Sequence, residues 1–157
     1  MPGGSSRFAV AIHVLTLLAR AGGDAPVKSD RVAASVNTNP VVIRRILCAL
    51  AAAELVTSQS GAAGGSRLAR RPERITLRDV YRAIEGGDAF RLHRRRPDRR
   101  CVVGANIEGV LGGVLDETNA AVERALARTT IADIVTRLQP CAPPARASAR
   151  AATRAKG

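Results

Sequence analysis

Aromatic side chains are almost absent from this sequence. Of its 157 residues none is tryptophan, and the aromatic residues are limited to Phe8, Tyr81 and Phe90. Apolar residues still make up 46% of the chain, and alanine, valine, leucine and isoleucine supply most of them. A chain rich in alanine, leucine and arginine with so few aromatics favours helices over an all-β sandwich. Its length allows one real hydrophobic core with appendages.

Cysteine is also scarce, and the three cysteines are far apart in the chain, at Cys48, Cys101 and Cys141. The sequence contains no CxxC pair and no local cluster of cysteine with histidine. It therefore argues against a disulfide scaffold and against a structural zinc site. We expect no metal site, and we expect reduced thiols in a cytoplasmic protein.

No run of about 18 uncharged apolar residues is present, so we expect no transmembrane helix and no membrane partner. The apolar N-terminal stretch is interrupted by Thr16 and Arg20, and it lacks a strongly basic start and a small-residue cleavage pattern. We interpret this stretch as a core helix that ends at Gly22-Gly23 rather than as a signal peptide. On this helix, His13 has no evident partner in the sequence.

Positive charge is abundant and unevenly distributed. Residues 1–100 carry 18 Lys and Arg against 8 Asp and Glu, which gives +10. Residues 101–139 carry 3 against 5, which gives −2, and residues 140–157 add +4. This division indicates polyanion binding by the first part of the chain. A GC-rich genome that raises arginine everywhere is the plain alternative, although the mildly acidic segment argues against it as the whole cause.

The stretch from Ser29 to Ala69 predicts two short helices, a turn between them, and a glycine-tipped hairpin. Ser29 can cap a first helix over residues 30–36, and Asn39-Pro40 gives a strong start to a second helix. On the second helix the apolar side is formed by Ile43, Ile46, Leu47 and Leu50. The opposite side carries Val41, Arg44, Arg45 and Cys48, which helical spacing directs away from the core.

This arrangement is typical of a helix-turn-helix unit whose second helix enters the major groove of DNA. Asparagine at this end can contact adenine edges or phosphate, and arginine can contact guanine or phosphate. The predicted DNA-facing residues here are Ser29, Asn37, Thr38, Asn39, Val41, Arg44 and Arg45. The alternative is an ordinary solvated helix face.

A β-hairpin wing is predicted directly after the second helix, with strands at residues 56–59 and 66–69. Its glycine-rich tip permits positive φ and close approach to another backbone. The predicted DNA contacts on the wing are Ser60, Gly64, Gly65 and Arg67, with Arg70, Arg71 and Arg74 adding sequence-independent attraction. A glycine-rich loop can also bind nucleotide phosphates, but this one lacks the GxxxxGK[ST] pattern.

The second half of the chain divides by composition. A capping-box-like start at Thr76 predicts a helix to Glu85, and residues 1–88 then form the DNA-binding domain. Residues 89–106 read as a basic, mobile linker, which either touches DNA phosphates or is solvated. Residues 107–139 carry a long apolar seam, which needs a partner, and a short final helix. Residues 140–157 read as a disordered basic tail.

The run SQSGAAGGSRLARRPERITLRDVYRAIEGG at residues 58–87 resembles the wing and following helix of the Rrf2 family of bacterial transcription regulators. SSRFAVAIHVLTLLA and NPVVIRRILCALAAAELV match the same family in the same order, so the resemblance spans residues 5–139. It implies a mainly α fold with a small β-hairpin, in which a winged helix-turn-helix is followed by a long dimerisation helix. It also implies a homodimer that binds double-stranded DNA.

The chain departs from the family pattern at three places. Cluster-binding members carry three closely spaced cysteines before the dimerisation helix, whereas this chain has Cys101 alone there, with His93 nearby. Because iron–sulfur ligation needs several thiolates, we expect no cluster and no other cofactor. Ser60 stands where a basic residue often precedes the wing glycine. Arg44 stands where some members carry Glu, so their operator preference does not transfer.

Cys101 follows Arg99 and Arg100, which would favour its thiolate, and it is either a redox sensor or an inert thiol. The leading functional hypothesis is a sequence-specific regulator, in particular a repressor, that binds a near-palindromic operator as a homodimer. A non-specific or architectural nucleic-acid-binding protein is the alternative. An enzyme ranks last, since the two histidines and scattered acids assemble no catalytic set.

Overall fold

The computed structural model describes residues 6–22, 25–61 and 63–138, and in them the chain is mainly helical with one two-stranded sheet. The predicted tail at residues 140–157, including Cys141, lies outside the described residues. The elements in chain order are α1 (Ser6–Arg20), α2 (Ser29–Val36), α3 (Pro40–Ala52), β1 (Val56–Gln59), β2 (Gly65–Leu68), a 3-10 turn (Pro72–Arg74), α4 (Leu77–Glu85), α5 (Val102–Leu126) and α6 (Ile131–Arg137).

Helix α1 is the central element, because α2, α3, α4, α6 and β2 all pack against it. Its fully buried face carries Ala11, Val14, Leu15 and Leu18. Thr16, which interrupts the apolar run of this helix, is also buried, and its hydroxyl donates a 2.7 Å hydrogen bond to the Ile12 carbonyl. The polar group is therefore satisfied inside its own helix and does not disturb the core.

His13, for which the local sequence indicated no partner, is an exposed residue that contacts a neighbouring helix. Its Nε2 lies 3.1 Å from the hydroxyl of Ser35, so the ring links α1 to α2 on the surface. The partner is 22 positions away in the chain, which is why local sequence could not indicate it.

The start of α3 is as predicted, whereas the predicted cap of α2 is wrong. Asn39 caps α3, and its Oδ1 accepts a 2.8 Å hydrogen bond from the Val41 N–H. At α2 the cap position belongs to Lys28, whose side chain makes no capping hydrogen bond, and Ser29 is the first helical residue. The chain enters α2 directly from Val27, whose backbone is bonded to the wing, and this sets where the helix begins.

The wing is an antiparallel pair in which Val56 faces Leu68 and Gln59 faces Gly65. Strand β2 therefore begins and ends one residue earlier than the sequence suggested. Its outer edge is paired as well, because Val27 and Ser66 exchange two backbone hydrogen bonds of 2.8 and 2.9 Å. The hairpin is thus bonded to the segment that leads into α2.

Helices α4 and α6 begin side by side with the same capping box. The Thr76 hydroxyl accepts from the Asp79 N–H, while the Asp79 carboxylate accepts from the Thr76 N–H, and Thr130 and Asp133 repeat the arrangement. Between the two caps, Thr76 and Thr130 form an antiparallel bridge. The predicted start of α4 is confirmed, and its residues Val80, Tyr81 and Ile84 are buried as expected.

Helix α5 begins at Val102, before the expected start near Ile107. The turn at Asp98 nucleates it earlier, because the Asp98 carbonyl accepts from the Cys101 N–H at 3.2 Å. None of the 25 residues of α5 is fully buried. Among the described residues, no helix combines the length and the apolar character needed to cross a membrane.

Candidate nucleic-acid interface

The outward face of α3 carries the side chains that sequence placed there. Val41 is 46% exposed, and Arg44, Arg45 and Cys48 are exposed as well. Val42, which the sequence reasoning did not single out, is 39% exposed beside Val41. Neighbouring residues of a helix point in directions about 100° apart, so the sequence alone did not show that Val42 is exposed together with Val41. Two apolar and two basic side chains thus project from the first turns of α3.

The turn between α2 and α3 is built by the three residues that sequence assigned to DNA contact. Asn37 ends α2 in the left-handed conformation, with φ 56° and ψ 53°. The Thr38 N–H donates a 3.0 Å hydrogen bond to the Ala33 carbonyl. The Asn39 oxygen already accepts from the Val41 N–H, so the amide NH₂ and the second lone pair of this oxygen remain for a ligand. Asn37 and Asn39 therefore have a structural role in the turn.

An open groove of about 630 Å³ lies between α3 and the wing. It brings together five predicted site residues, namely Ser29, Arg44, Ser60, Gly64 and Gly65. Its floor includes Leu47 and Ala51. The sequence did not indicate five further lining residues with polar side chains, which are Lys28, Asp30, Ser58, Gln59 and Ser66. Cys48 also lines the groove, so any modification of this thiol would change the surface beside Arg44.

Two glycines shape the wing. A side chain at Gly64 would collide with the Gln59 carbonyl inside the hairpin, and one at Gly65 would lie against the Val27 backbone. The Gly64 N–H closes the tip with a 3.0 Å hydrogen bond to the Gly61 carbonyl. The absence of side chains at these two positions therefore allows the backbones to approach closely at the tip.

Arg67 lies on the other face of the wing from Ser66. Its Nε donates a 3.3 Å hydrogen bond to the Thr57 hydroxyl. On the groove side, the hydroxyls of Ser58 and Ser66 are 2.9 Å apart. Successive strand residues point to opposite faces, so Arg67 cannot turn into the groove that holds Arg44. A DNA strand that contacts Arg67 would have to lie on the outer side of the wing.

The basic residues that follow the wing differ in whether their charge is paired within the chain. Arg70 lies 3.6 Å from Glu54, so its charge is partly neutralised within the chain. Arg71 and Arg74 are exposed beside the 3-10 turn. Arg71 and Arg74 therefore present the exposed positive charge of this region that no ion pair with Glu54 reduces.

Cys101 occupies the cap position of α5 and is exposed. The nearby backbone N–H groups of Gly104 and Val103 lower the pKa of its thiol below the ordinary value, although the thiol makes no capping hydrogen bond. The physical cause is thus the first turn of α5 and not the neighbouring arginines that the sequence suggested. The close approach of the Asp98 carbonyl leaves no room for a Cβ at Gly104, so the glycine is needed for this turn.

The donor set of the described residues does not fit an iron–sulfur cluster. Such a cluster needs several thiolates close together, but Cys101 is the one cysteine between α4 and α5, and Cys48 lies on α3. Within the part of the chain that the structure describes, no three histidine, cysteine or acidic side chains gather as a metal site.

Comparison with protein families gives one match that covers most of the chain. Residues 4–137 match the model named Rrf2, which is described as an iron-dependent transcriptional regulator. A relative from Bacillus subtilis (strain 168), named as a candidate HTH-type transcriptional regulator, YwnA, is 37% identical over 134 residues. That match covers 85% of this chain and 98% of the relative.

Solved structures give the same fold. A structure described as a candidate DNA-binding protein superposes with a TM-score of 0.65 and 35% identity, covering 82% of this chain and 98% of its own. The structure of CymR, the global cysteine regulator of B. subtilis, superposes with a TM-score of 0.65 at 23% identity, covering 88% and 100%. At this identity the second likeness concerns the fold alone.

Proposed function

Since the chain belongs to the Rrf2 family and is a transcriptional regulator with a DNA-binding fold, we propose that it represses transcription by binding a specific operator as a homodimer. The operator would be near-palindromic, because two copies related by a two-fold axis present the same surface to two half-sites. The family and its relatives are regulators and not enzymes. Operator binding would place the protein in the cytoplasm with the chromosome.

The observation that carries the proposal is the pairing of an outward α3 face with a closed wing across one groove. Val41, Val42, Arg44 and Arg45 project from the first turns of α3, where a recognition helix contacts base edges. Valine suits the methyl group of thymine, and arginine suits the two acceptors of guanine. We infer that these four side chains read the sequence.

The remaining site residues would position the DNA. Lys28 and Ser29 lie where α2 begins, at the groove, and the uncapped N–H groups of this first turn favour a phosphate. Asn37, Thr38 and Asn39 fix the angle between α2 and α3. Ser60, Gly64 and Gly65 form the narrow wing tip, which suits an approach to the sugar–phosphate backbone, and Arg67 would meet a strand on the outer side.

Helix α5 supplies the surface for a homodimer. Val110 and Val114 are 67% and 57% exposed. At 100° per residue they lie opposite Asn119 and Glu123, the two residues that bind α5 to its own subunit. An exposed apolar stripe of this length needs cover, and the same stripe on a second copy provides it.

Two further parts of the proposal concern regulation. We propose that the protein works without an iron–sulfur cluster, which is tested by anaerobic reconstitution with iron and sulfide followed by visible absorption.

We also propose that Cys101 senses hydroperoxides. Its exposed thiol has a lowered pKa, so a larger fraction is nucleophilic thiolate at neutral pH.

The proposal is tested by selecting bound duplexes from a random pool and footprinting the protein on the selected sequence. A discrete protected region with two related half-sites is the expected result. Smeared protection without sequence preference would instead support the alternative, a non-specific or architectural DNA-binding protein, for which the net charge of +12 is the favouring observation.

A further inference from the structure

The segment between α4 and α5 concentrates exposed positive charge. Residues 91–100, the arginine segment, contain six arginines in ten positions, and all six are exposed. Arg91 lies 3.6 Å from Asp88. Within the described residues, the other five make no ion pair and no side-chain hydrogen bond; they are Arg94, Arg95, Arg96, Arg99 and Arg100.

Both ends of the arginine segment are fixed relative to α5, at the start by Phe90, which binds Asn119, and at the end by the chain itself, which continues into α5 at Val102. Before it, the Asn119 amide binds both backbone groups of Phe90, accepting from the N–H and donating to the carbonyl, each at 3.0 Å. At its end, the Asp98 carboxylate accepts from the Arg100 N–H at 2.9 Å. The single acidic side chain of the segment is thus occupied by the backbone.

These two anchors draw the segment out along α5, with bends at Arg94 and Arg95. Asn119 and Val102 are 17 positions apart on one helix, which corresponds to about 25 Å. The 11 positions from Phe90 to Cys101 span at most about 38 Å when fully stretched. The backbone therefore uses about two-thirds of its reach, and the arginines are strung along a line instead of gathered in one pocket.

A line of unpaired guanidinium groups fits an extended polyanion. About 25 Å of duplex axis carries about seven phosphates on each strand. A small anion would meet one or two of the five arginines and leave the rest unpaired. Guanidinium groups also bind phosphate through two parallel hydrogen bonds.

We propose that the arginine segment is a second contact with the phosphate backbone of duplex DNA, separate from α3 and the wing. This proposal rests on the proposed function only in assigning the first DNA contact to α3 and the wing. A second copy of the chain is a weaker partner, because the exposed carboxylates of α5 on the segment's side, such as Asp116, are too few to pair five arginines.

The test compares the full-length triple variant R94Q/R95Q/R96Q with the wild-type protein. Affinity for a long duplex of unrelated sequence is measured by fluorescence anisotropy from about 50 to about 200 mM salt. The control R20Q/R128Q/R137Q removes the same charge from exposed positions outside the segment. Sedimentation of each protein reports the dimer.

The segment variant should flatten the slope of log affinity against log salt by about 2.7 for each bound subunit, if each of the three lost phosphate contacts contributes about 0.9. The control should change it by less than about 1. Equal slopes for the two variants would overturn the proposal. A weakened dimer with an unchanged slope would also overturn it, because the segment would then bind the second copy.

Failure of the operator model is distinguishable from failure of this contact. If the wild-type protein prefers no sequence, the specific-repressor proposal fails, yet the slope on unrelated DNA still reports the arginine segment, since phosphate contacts carry no sequence information.

Discussion

Arg82 on α4 and Glu123 on α5 form a two-point ion pair. The Arg82 Nε donates to Glu123 Oε1 at 2.7 Å, and its Nη2 donates to Oε2 at 2.5 Å. The side-chain hydrogen bond from Arg82 holds the pKa of Glu123 below its ordinary value, and the pKa of Arg82 is raised in return. This pair fixes the helix proposed for dimerisation to the DNA-binding unit.

Replacing Glu123 with Gln is therefore expected to make the relative orientation of the two DNA-binding units in the proposed dimer more variable. Operator affinity on a full palindrome should fall about fivefold, while affinity for an isolated half-site should stay unchanged. Global stability should change little, because the pair is partly exposed. Anisotropy on the two duplexes measures the difference. E117Q, an exposed position on the same helix, is the matched control, and an equal loss with that variant would contradict the prediction.

The capping box of α4 predicts a pH-dependent stability. Burial opposes ionisation of Asp79, but hydrogen bonds from the Thr76 hydroxyl and N–H outweigh it, so its pKa lies below 3.8. Asp79→Ala should lower the free energy of unfolding by about 1 kcal/mol near neutral pH. A lowered folded pKa stabilises above the unfolded value, so the difference from wild type should shrink as the pH falls below 3.8.

Urea unfolding at a series of pH values measures this difference. D116A removes an exposed carboxylate of α5 and provides the control, for which no such pH dependence is expected. A difference between D79A and wild type that stays constant through the acid range would contradict the assignment to the ionised carboxylate.

Arg44 and Arg45 are neighbours on α3, but only Arg44 lines the groove beside the wing. Arg44→Ala should weaken operator binding about ten- to a hundredfold and weaken binding to unrelated DNA much less, because a bidentate base contact is lost. Competition titrations on both duplexes measure the ratio. Equal losses on the two duplexes would assign Arg44 to phosphate, and the same titration with R45A provides the neighbouring comparison.

Cys101 is predicted to be the peroxide-sensitive thiol. Its thiolate would attack the O–O bond of a hydroperoxide, forming a sulfenic acid while the leaving oxygen takes a proton. Peroxide should then lower the operator affinity of the wild-type protein severalfold and leave that of C101S unchanged. C48S should respond like wild type. If wild type and C101S lose affinity alike, the thiol is not the sensor.

The exposed valines of α5 predict the dimer contact. Val110→Asp should place a charge in the proposed apolar interface and convert the dimer to monomer in sedimentation experiments. V110I keeps the apolar character and should keep the dimer. If the Val110→Asp variant is still a dimer, the dimer interface does not lie on this face of α5.

The sequence predicted those elements whose signals are local. Asn39-Pro40 and the Thr76–Asp79 pair mark helix starts within a few residues, and both were confirmed because a cap uses neighbouring backbone groups. The glycines of the wing likewise indicated the hairpin. The mainly helical fold with one hairpin follows from these signals together with the apolar spacing.

Features that depend on distant contacts were missed. Ser29 has the chemistry of a cap, but the Val27–Ser66 bridge determines where α2 begins. The early start of α5 follows from the turn at Asp98. The arginine-rich composition of residues 91–100 predicted a loop there and gave no indication of this turn. For Cys101, the sequence indicated the adjacent arginines as the cause of a lowered thiol pKa, whereas the cause is the backbone N–H groups at the start of α5.

The bridge between Val27 and Ser66 also bears on the thermodynamics of binding. Two backbone hydrogen bonds join the wing to the entry of α2, so the hairpin is held against the helices of the reading unit before DNA binds. The protein should then lose little conformational entropy on binding. Any large entropic penalty or unusually negative heat-capacity change seen by calorimetry would have to arise from deformation of the DNA or from ordering elsewhere in the chain.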